Sequence, residues 1–179
     1  VVDSDGNAVS FINSIFMAFG SGLSSNGFLL HNRGCSLSLN PTHANCVAPN
    51  KRPFHTIIPA MLRKNGEFRA SWGVMGGSMQ PQGHLQVLLS LVDLGLNPQA
   101  SMDAPRFRWV NGNKIALETS RIPAETVTEL RKKGHEVLEE HLFFNPREHF
   151  GGGQFIYSDG KGTLIGGSDP RRDGVAIGY

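Results

Sequence analysis

Glycine is the strongest constraint on what this chain can fold into. Twenty-two of its 179 residues are glycine, about 12% against about 7% in an ordinary protein. Such a backbone turns tightly, or approaches something closely, at many points. Val1-Val2 and Ala8-Val9-Ser10-Phe11-Ile12 flank Asp5-Gly6-Asn7 and read as a hairpin. Phe28-Leu29-Leu30 is a short strand after Asn26-Gly27. Residues 56–62 and 68–75 read as strands joined across Lys64-Asn65-Gly66-Glu67, and Ile115-Ala116-Leu117 as another. Phe155-Ile156-Tyr157 and Thr163-Leu164-Ile165 flank Asp159-Gly160-Lys161-Gly162, a further hairpin. The clearest helix spans residues 78–96, where Leu85, Leu88, Leu89, Val92 and Leu96 recur at spacings of three and four and give one apolar face. Asn97-Pro98 caps a short helix to about Ala104, and residues 123–133 form a helix stopped by Gly134. Residues 36–53 lack periodicity and read as a long loop, a kind of segment that often carries function. Hairpins with interposed helices predict an α+β fold with antiparallel sheet, not a βαβ array.

The length fits a single domain, and a hydrophobic content of 39% suffices for one core. Seventeen Lys and Arg against 15 Asp and Glu leave a charge of +2, too small for an electrostatic nucleic-acid footprint. No run approaches the roughly 18 apolar residues of a membrane span. Neither nucleic acid nor membrane is therefore expected as a partner. Cys35 and Cys46 can make one bridge or remain two thiols, but no disulfide framework. Asn13 is followed directly by Ser14 and Asn40 by Pro41, so neither is a glycosylation acceptor. With so few cysteines, this leans toward a prokaryotic, cytoplasmic protein. The chain opens on Val1 rather than Met, and an upstream segment, with any targeting signal, is expected to have been removed.

Gly73-Val74-Met75-Gly76-Gly77-Ser78 lies between a strand and the long helix. The N–H groups at a helix N-terminus point the same way, and adjacent glycines let a ligand approach them. The stretch is either an oxyanion site or a tight turn that needs glycine for positive φ. It matches neither a P-loop nor a dinucleotide fingerprint. His141 and His149, near Glu139, Glu140 and Glu148, suggest a solvated surface more than a metal site, and no HExxH or CxxC spacing exists. No metal or cofactor is expected. Ser14, in an apolar strand, is a satisfied core hydroxyl or a group that polarises a nucleophile. Arg33, at a strand end, is a surface arginine or a carboxylate clamp. Ser168-Asp169-Pro170-Arg171 reads as a structural turn.

These segments, in this order, resemble the small, C-terminal subunit of the γ-glutamyltransferases, in its γ-glutamyltransferase-like branch. The resemblance runs through Val1-Val2-Asp3, Phe19-Gly20-Ser21-Gly22, Gly27-Phe28-Leu29-Leu30 and Pro49-Asn50-Lys51-Arg52-Pro53. It continues through Gly76-Gly77, Leu94-Gly95-Leu96-Asn97, Asp103-Ala104-Pro105-Arg106-Phe107 and Gly167-Ser168-Asp169-Pro170-Arg171. It implies an N-terminal-nucleophile hydrolase fold, an αββα four-layer sandwich whose antiparallel sheets are completed by the large N-terminal subunit of the same precursor. It further implies self-cleavage, acyl transfer or hydrolysis on a small γ-glutamyl substrate, with hydrolysis expected over transfer, and heterodimers able to pair into a dimer of heterodimers.

By the same resemblance Gly76 and Gly77 are the oxyanion glycines. Ser14 stands where a second threonine usually supports the nucleophile. Arg33 and Ser36 stand where a carboxamide or carboxylate and an aspartate usually grip the substrate α-amine. A cation in that place favours a carboxylate instead. His55 and Thr56 match a serine pair on the donor carboxylate, and Phe16 replaces an asparagine near the donor. The loop from Leu37 to Pro49 is shorter than the family's lid. The nucleophilic threonine is expected a few residues before Val1. The alternatives are a chain cut elsewhere or an inactive copy. Two rival readings stay open, a glutaryl or cephalosporin-acylase-like amidase and a non-catalytic subunit.

Overall fold

The structure, a computed structural model, describes residues 1–139 and 149–179. It divides into two compact units, Ile12–Ile57 and Val1–Phe11 with Ile58–Tyr179.

The smaller unit is mostly irregular. Strands β1 (Ser24–Ser25) and β2 (Phe28–Leu29) pair antiparallel across Asn26 and Gly27, both at positive φ as a tight hairpin turn demands. A 3₁₀ turn follows at Arg33–Ser36. The long loop expected after it is present, pinned by an isolated parallel bridge between Ser38 and Cys46.

The larger unit carries β3 (Ala60–Lys64), β4 (Glu67–Met75), α1 (Met79–Val92), α2 (Pro98–Asp103), β5 (Phe107–Asn111), β6 (Lys114–Leu117), α3 (Ala124–Lys132), β7 (Glu136–Glu139), β8 (Gly152–Ser158) and β9 (Leu164–Ser168). Strands β3-β4-β8-β9 form one antiparallel sheet in that order. Asn65 and Gly66, both at positive φ, close the β3–β4 turn. Alternate residues of β4 face α1 and α2, so Ala70, Trp72 and Val74 join Val87, Met102 and Phe155 in the core. Each large apolar side chain buried there contributes about 1.5–3 kcal/mol. On the other face Ser71 donates to the Val9 carbonyl at 3.3 Å, and Ser10 donates to the Trp72 carbonyl at 3.0 Å. Residues 1–11 lie along the sheet as the expected short hairpin: Val1 and Val9 exchange N–H···O bonds at 3.0 and 2.9 Å, Val2 bridges Ala8, and Asp3 N–H donates to the Asn7 carbonyl at 3.0 Å.

The second sheet, β5-β6-β7, departs from the expected pattern. Strands β5 and β6 are antiparallel, but β6 and β7 are parallel and joined through α3. One βαβ unit is therefore present, its small core made by Ile115, Leu117 and Val127.

The apolar stripe of α1 also corrects the sequence reading. Leu85, Leu89 and Val92 are exposed, while Met79, Gly83, His84, Val87 and Ser90 face the core. Of the stripe Leu88 packs against the core, and Gly83 packs against Val74, so a small residue lets the helix close on the sheet. The helix ends at Val92 because Asp93 and Leu94 both donate to the Leu89 carbonyl and Gly95 turns at positive φ.

The turn at residues 168–171 anchors a buried cluster of four charges. Arg106, Asp169, Arg171 and Glu118 are each at most 5% exposed. Arg106 Nη2 meets Asp169 Oδ2 at 2.6 Å, and Arg171 pairs with Glu118 and, at 3.1 Å, with Asp169. Spare donors and acceptors are absorbed by backbone. Arg106 Nη1 donates to the Phe150 carbonyl at 3.1 Å, Arg171 Nη1 to the Met102 carbonyl at 2.9 Å, and Asp169 Oδ2 accepts from Gly153 N–H at 2.9 Å.

Candidate active site

Gly76 and Gly77 sit between β4 and α1, with φ of +131° and +58°. These angles are what the glycines are there for, since L side chains strain both. Their carbonyls accept from Met79 and Gln80 N–H, which opens the first turn of α1. Ser78 precedes the helix, yet its hydroxyl makes no cap. It accepts from Arg108 Nη2 at 2.8 Å instead. Among the described residues neither Gly77 N–H nor Ser78 N–H has an acceptor. Both residues are exposed at the positive end of the helix. The arrangement can bind an oxyanion.

Two histidines stand near this turn. His84 is buried, its Nδ1 2.6 Å from the Gln80 carbonyl and its Nε2 accepting from Val74 N–H at 3.3 Å. Those partners assign the Nδ1–H tautomer, and burial holds the ring neutral by lowering its pKa. His149 Nδ1 lies 3.3 Å from Arg108 Nη1. Burial first, and then the Arg108 charge, push its pKa down to about 4. A cation at His149 is thus disfavoured, and it accepts from the guanidinium. Glu140, His141 and Glu148 lie outside the described residues. No group of three or more metal-ligating side chains occurs among the described residues.

In the smaller unit the structure brings four of the expected site residues together. Arg33 Nη2 donates to the Ser14 carbonyl at 3.1 Å, and its guanidinium lies 5.6 Å from the centre of the Phe16 ring. Ser36 Oγ donates to the Arg33 carbonyl at 2.9 Å. Ser14 is not in a strand, as the sequence suggested, and Arg33 starts a 3₁₀ turn rather than ending a strand. The Ser14 hydroxyl accepts from Phe16 N–H at 2.9 Å and keeps its own proton to donate. Phe16 has φ +79°, an outlier for a bulky residue and the kind of strain that gathers at functional sites.

His55 is exposed and its Nδ1 accepts from Ile57 N–H at 3.0 Å, leaving Nε2 free to turn outward, and Thr56 is half-buried. Sequence reasoning missed Asn45. It donates to the Ser36 carbonyl and accepts from Phe54 N–H, both at 2.9 Å. It thereby shapes a pocket of about 540 Å³ with Ser36, His43, Arg52 and Phe54 on its walls. Residues 12–57 contain Arg33, Lys51, Arg52 and three histidines but no Asp or Glu. Every fixed charge of this unit is positive.

The sequence matches the Gamma-glutamyltranspeptidase family profile over residues 1–179. The chain belongs to the gamma-glutamyltranspeptidase family. It is 38% identical to the glutathione hydrolase-like YwrD proenzyme of Bacillus subtilis, over 99% of this chain and 34% of that protein. It is equally 38% identical to the oxamate amidohydrolase proenzyme of Klebsiella pneumoniae, over 100% of this chain and 34% of the relative. Among solved structures, the cephalosporin acylase of Bacillus halodurans superposes with a TM-score of 0.91 at 44% identity, over 99% of this chain and 33% of that one. The chain therefore spans about a third of the length of these relatives. Its fold is that of the N-terminal-nucleophile hydrolases.

Proposed function

We propose that this chain is the small, C-terminal part of a self-cleaving amidohydrolase that hydrolyses γ-glutamyl amides through an acyl-enzyme. The turn at Gly76–Gly77 carries the reading, because its unengaged N–H groups can hold the charge that develops on an attacked carbonyl. The nucleophile is a threonine a few residues before Val1, exposed as a new N-terminus when the precursor cleaves itself. Its hydroxyl attacks the amide carbon while its α-amine takes the proton. An α-amine with an ordinary pKa of about 8 can do so near neutral pH. The tetrahedral oxyanion rests on the unengaged amides of the turn, those of Gly76, Gly77 and Ser78. Collapse breaks the C–N bond, and the proton passes from the α-amine to the leaving amine. Water then cleaves the ester by the same route and regenerates the threonine. A short loop between Leu37 and Pro49 leaves the acyl-enzyme open to water, which favours hydrolysis over transfer. The partner is the large N-terminal part of the same precursor, a reading supported by relatives that are themselves proenzymes.

Arg33, beside Ser14, Phe16 and Ser36, grips the carboxylate of the acyl group. The absence of any carboxylate from residues 12–57 favours a second reading, in which the acyl group is glutaryl-like and has no α-ammonium to neutralise. The test is steady-state hydrolysis of γ-glutamyl and glutaryl p-nitroanilides by the whole purified protein, after N-terminal sequencing and intact-mass measurement. A new N-terminal threonine with γ-glutamyl turnover supports the first reading. Turnover of glutaryl alone moves the assignment to the second. An uncut precursor inert to both leaves a non-catalytic subunit.

A further inference from the structure

We infer that Arg108 is a positioning residue for the oxyanion turn, acting on it from two sides. The inference rests on the reading of Gly76–Gly77 given above. Directly, the Arg108 Nη2 bond to Ser78 Oγ at 2.8 Å fixes a residue whose N–H is one of the free donors of the turn. It also takes the Ser78 hydroxyl away from the capping role that would otherwise compete for the first-turn amides. Indirectly, Arg108 Nη1 donates to the His149 carbonyl at 3.2 Å, while Arg106 Nη1 holds the next carbonyl, that of Phe150, at 3.1 Å. Two arginines, two residues apart, thus clamp consecutive carbonyls. The residue after them, Gly151, lies against Gly76, so closely that a methyl group on Gly76 would stand 3.1 Å from the Gly151 Cα. The turn is held between Ser78 on one side and residues 149–151 on the other, and Arg108 touches both supports.

The charge of Arg108 also matters. It is half-buried and forms no ion pair among the described residues. His149, the titratable group that faces it, is held neutral. The Asp103 carboxylate accepts from Gln99 Nε2 at 2.8 Å, Glu118 pairs with Arg121 and Arg171, and Asp169 serves the buried cluster. Among the described residues no carboxylate offsets Arg108 at the foot of the turn, and its charge favours an anion forming there over the neutral ground state. The conclusion is a role in kcat without a role in substrate binding.

The test uses the whole, self-processed protein and γ-glutamyl p-nitroanilide, with Arg108→Gln, Arg108→Lys, Ser78→Ala and the Arg108→Gln/Ser78→Ala double variant. Misplacement of a donor by an ångström can lower a rate by about 100-fold. The expected result is a fall of about 10–100-fold in kcat for Arg108→Gln with KM within about twofold. Arg108→Lys should recover part of it, and the double variant should be no slower than Arg108→Gln, because Ser78→Ala removes only a link that Arg108→Gln has already broken. A raised KM at unchanged kcat, or effects that multiply in the double variant, would overturn the inference. If Arg108→Gln fails to fold or to be cut, Ser78→Ala decides alone, and a wild-type kcat there overturns it. Wild-type protein inert to every amide sinks the function itself, whereas an active wild type with unaffected variants sinks only the role of Arg108.

Discussion

Gly76 and Gly77 are adjacent, yet a side chain would meet different surroundings at each. A methyl group on Gly76 would stand 3.1 Å from both the Gly151 Cα and the Met79 Cβ, and one on Gly77 would meet nothing within 4 Å. Gly76→Ala should therefore lose about 1–3 kcal/mol of stability from backbone strain and crowding and at least about 100-fold in kcat. Gly77→Ala should lose about 1–2 kcal/mol from its left-handed φ alone. Denaturant melts and steady-state kinetics of the whole purified protein measure both. The positive-φ turn was legible in the sequence because adjacent glycines between a strand and a strongly periodic helix mark one. Arg108 was not. Its partners Ser78 and His149 lie 30 and 41 residues away, and no local spacing announces such a contact. The four-charge cluster was hidden for the same reason. Its residues read as a turn and as part of a family signature, with nothing to say that Arg106 and Asp169 meet in the interior.

Helix α1 does two things at the level of elements. It covers the core, and it seals an edge. Gln86 accepts from Phe107 N–H at 3.0 Å and donates to the Phe107 carbonyl at 2.8 Å, while Gln82 accepts from Trp109 N–H at 2.7 Å and donates to its carbonyl at 3.2 Å. Two side-chain amides, one helical turn apart, satisfy the outer edge of β5 as a neighbouring strand would. Replacing both glutamines by alanine removes four such bonds at an exposed site. The expected loss is about 1–3 kcal/mol, with a greater tendency to aggregate through the freed edge, read by thermal melting and light scattering. Elements with strong periodicity or turn chemistry were legible: β4, the β3–β4 turn, α1, α2, α3 and the β8–β9 hairpin. Strand β7 and its parallel pairing were not, because four residues with two glutamates carry little strand signal and pairing direction is a tertiary property. The leucine stripe of α1 misled for a related reason. Periodicity reveals that a helix has an apolar face, not which neighbour covers it.

For the whole molecule, exposed apolar surface is the leading feature. Leu85, Leu89, Val92, Leu94, Phe107 and Trp109 of the larger unit are each more than 40% exposed. So many apolar side chains on one small unit mark an interaction surface. On the proposed function, the chain produced without the large N-terminal part should aggregate or fail to melt cooperatively, and co-production with that part should give a soluble complex. A sharp, reversible melt of the chain alone would contradict this. Acid should also weaken the fold. His84 and His149 have folded pKa values below their ordinary 6.5, His149 at about 4. The unfolded chain then takes up protons that the native state refuses, so stability is full above about pH 6.5 and is lost as pH falls toward 4. The melting midpoint should be level from pH 7 to 8 and decline below about pH 6.5, less steeply in His149→Gln.

The buried charge cluster has a kinetic side. Arg171 joins Glu118 across 53 residues of chain, Arg106 joins Asp169 across 63, and Arg171 reaches the Met102 carbonyl across 69. Contacts that close such long loops form late in folding, and two arginines and two acids shed their water profitably only once all four are in place. Interactions absent from the transition state leave the folding rate nearly untouched and slow its reverse. Asp169→Asn should accordingly refold at close to the wild-type rate and unfold much faster in stopped-flow experiments on the processed protein. The cluster would then act as a latch, closing last and setting how long the folded molecule endures.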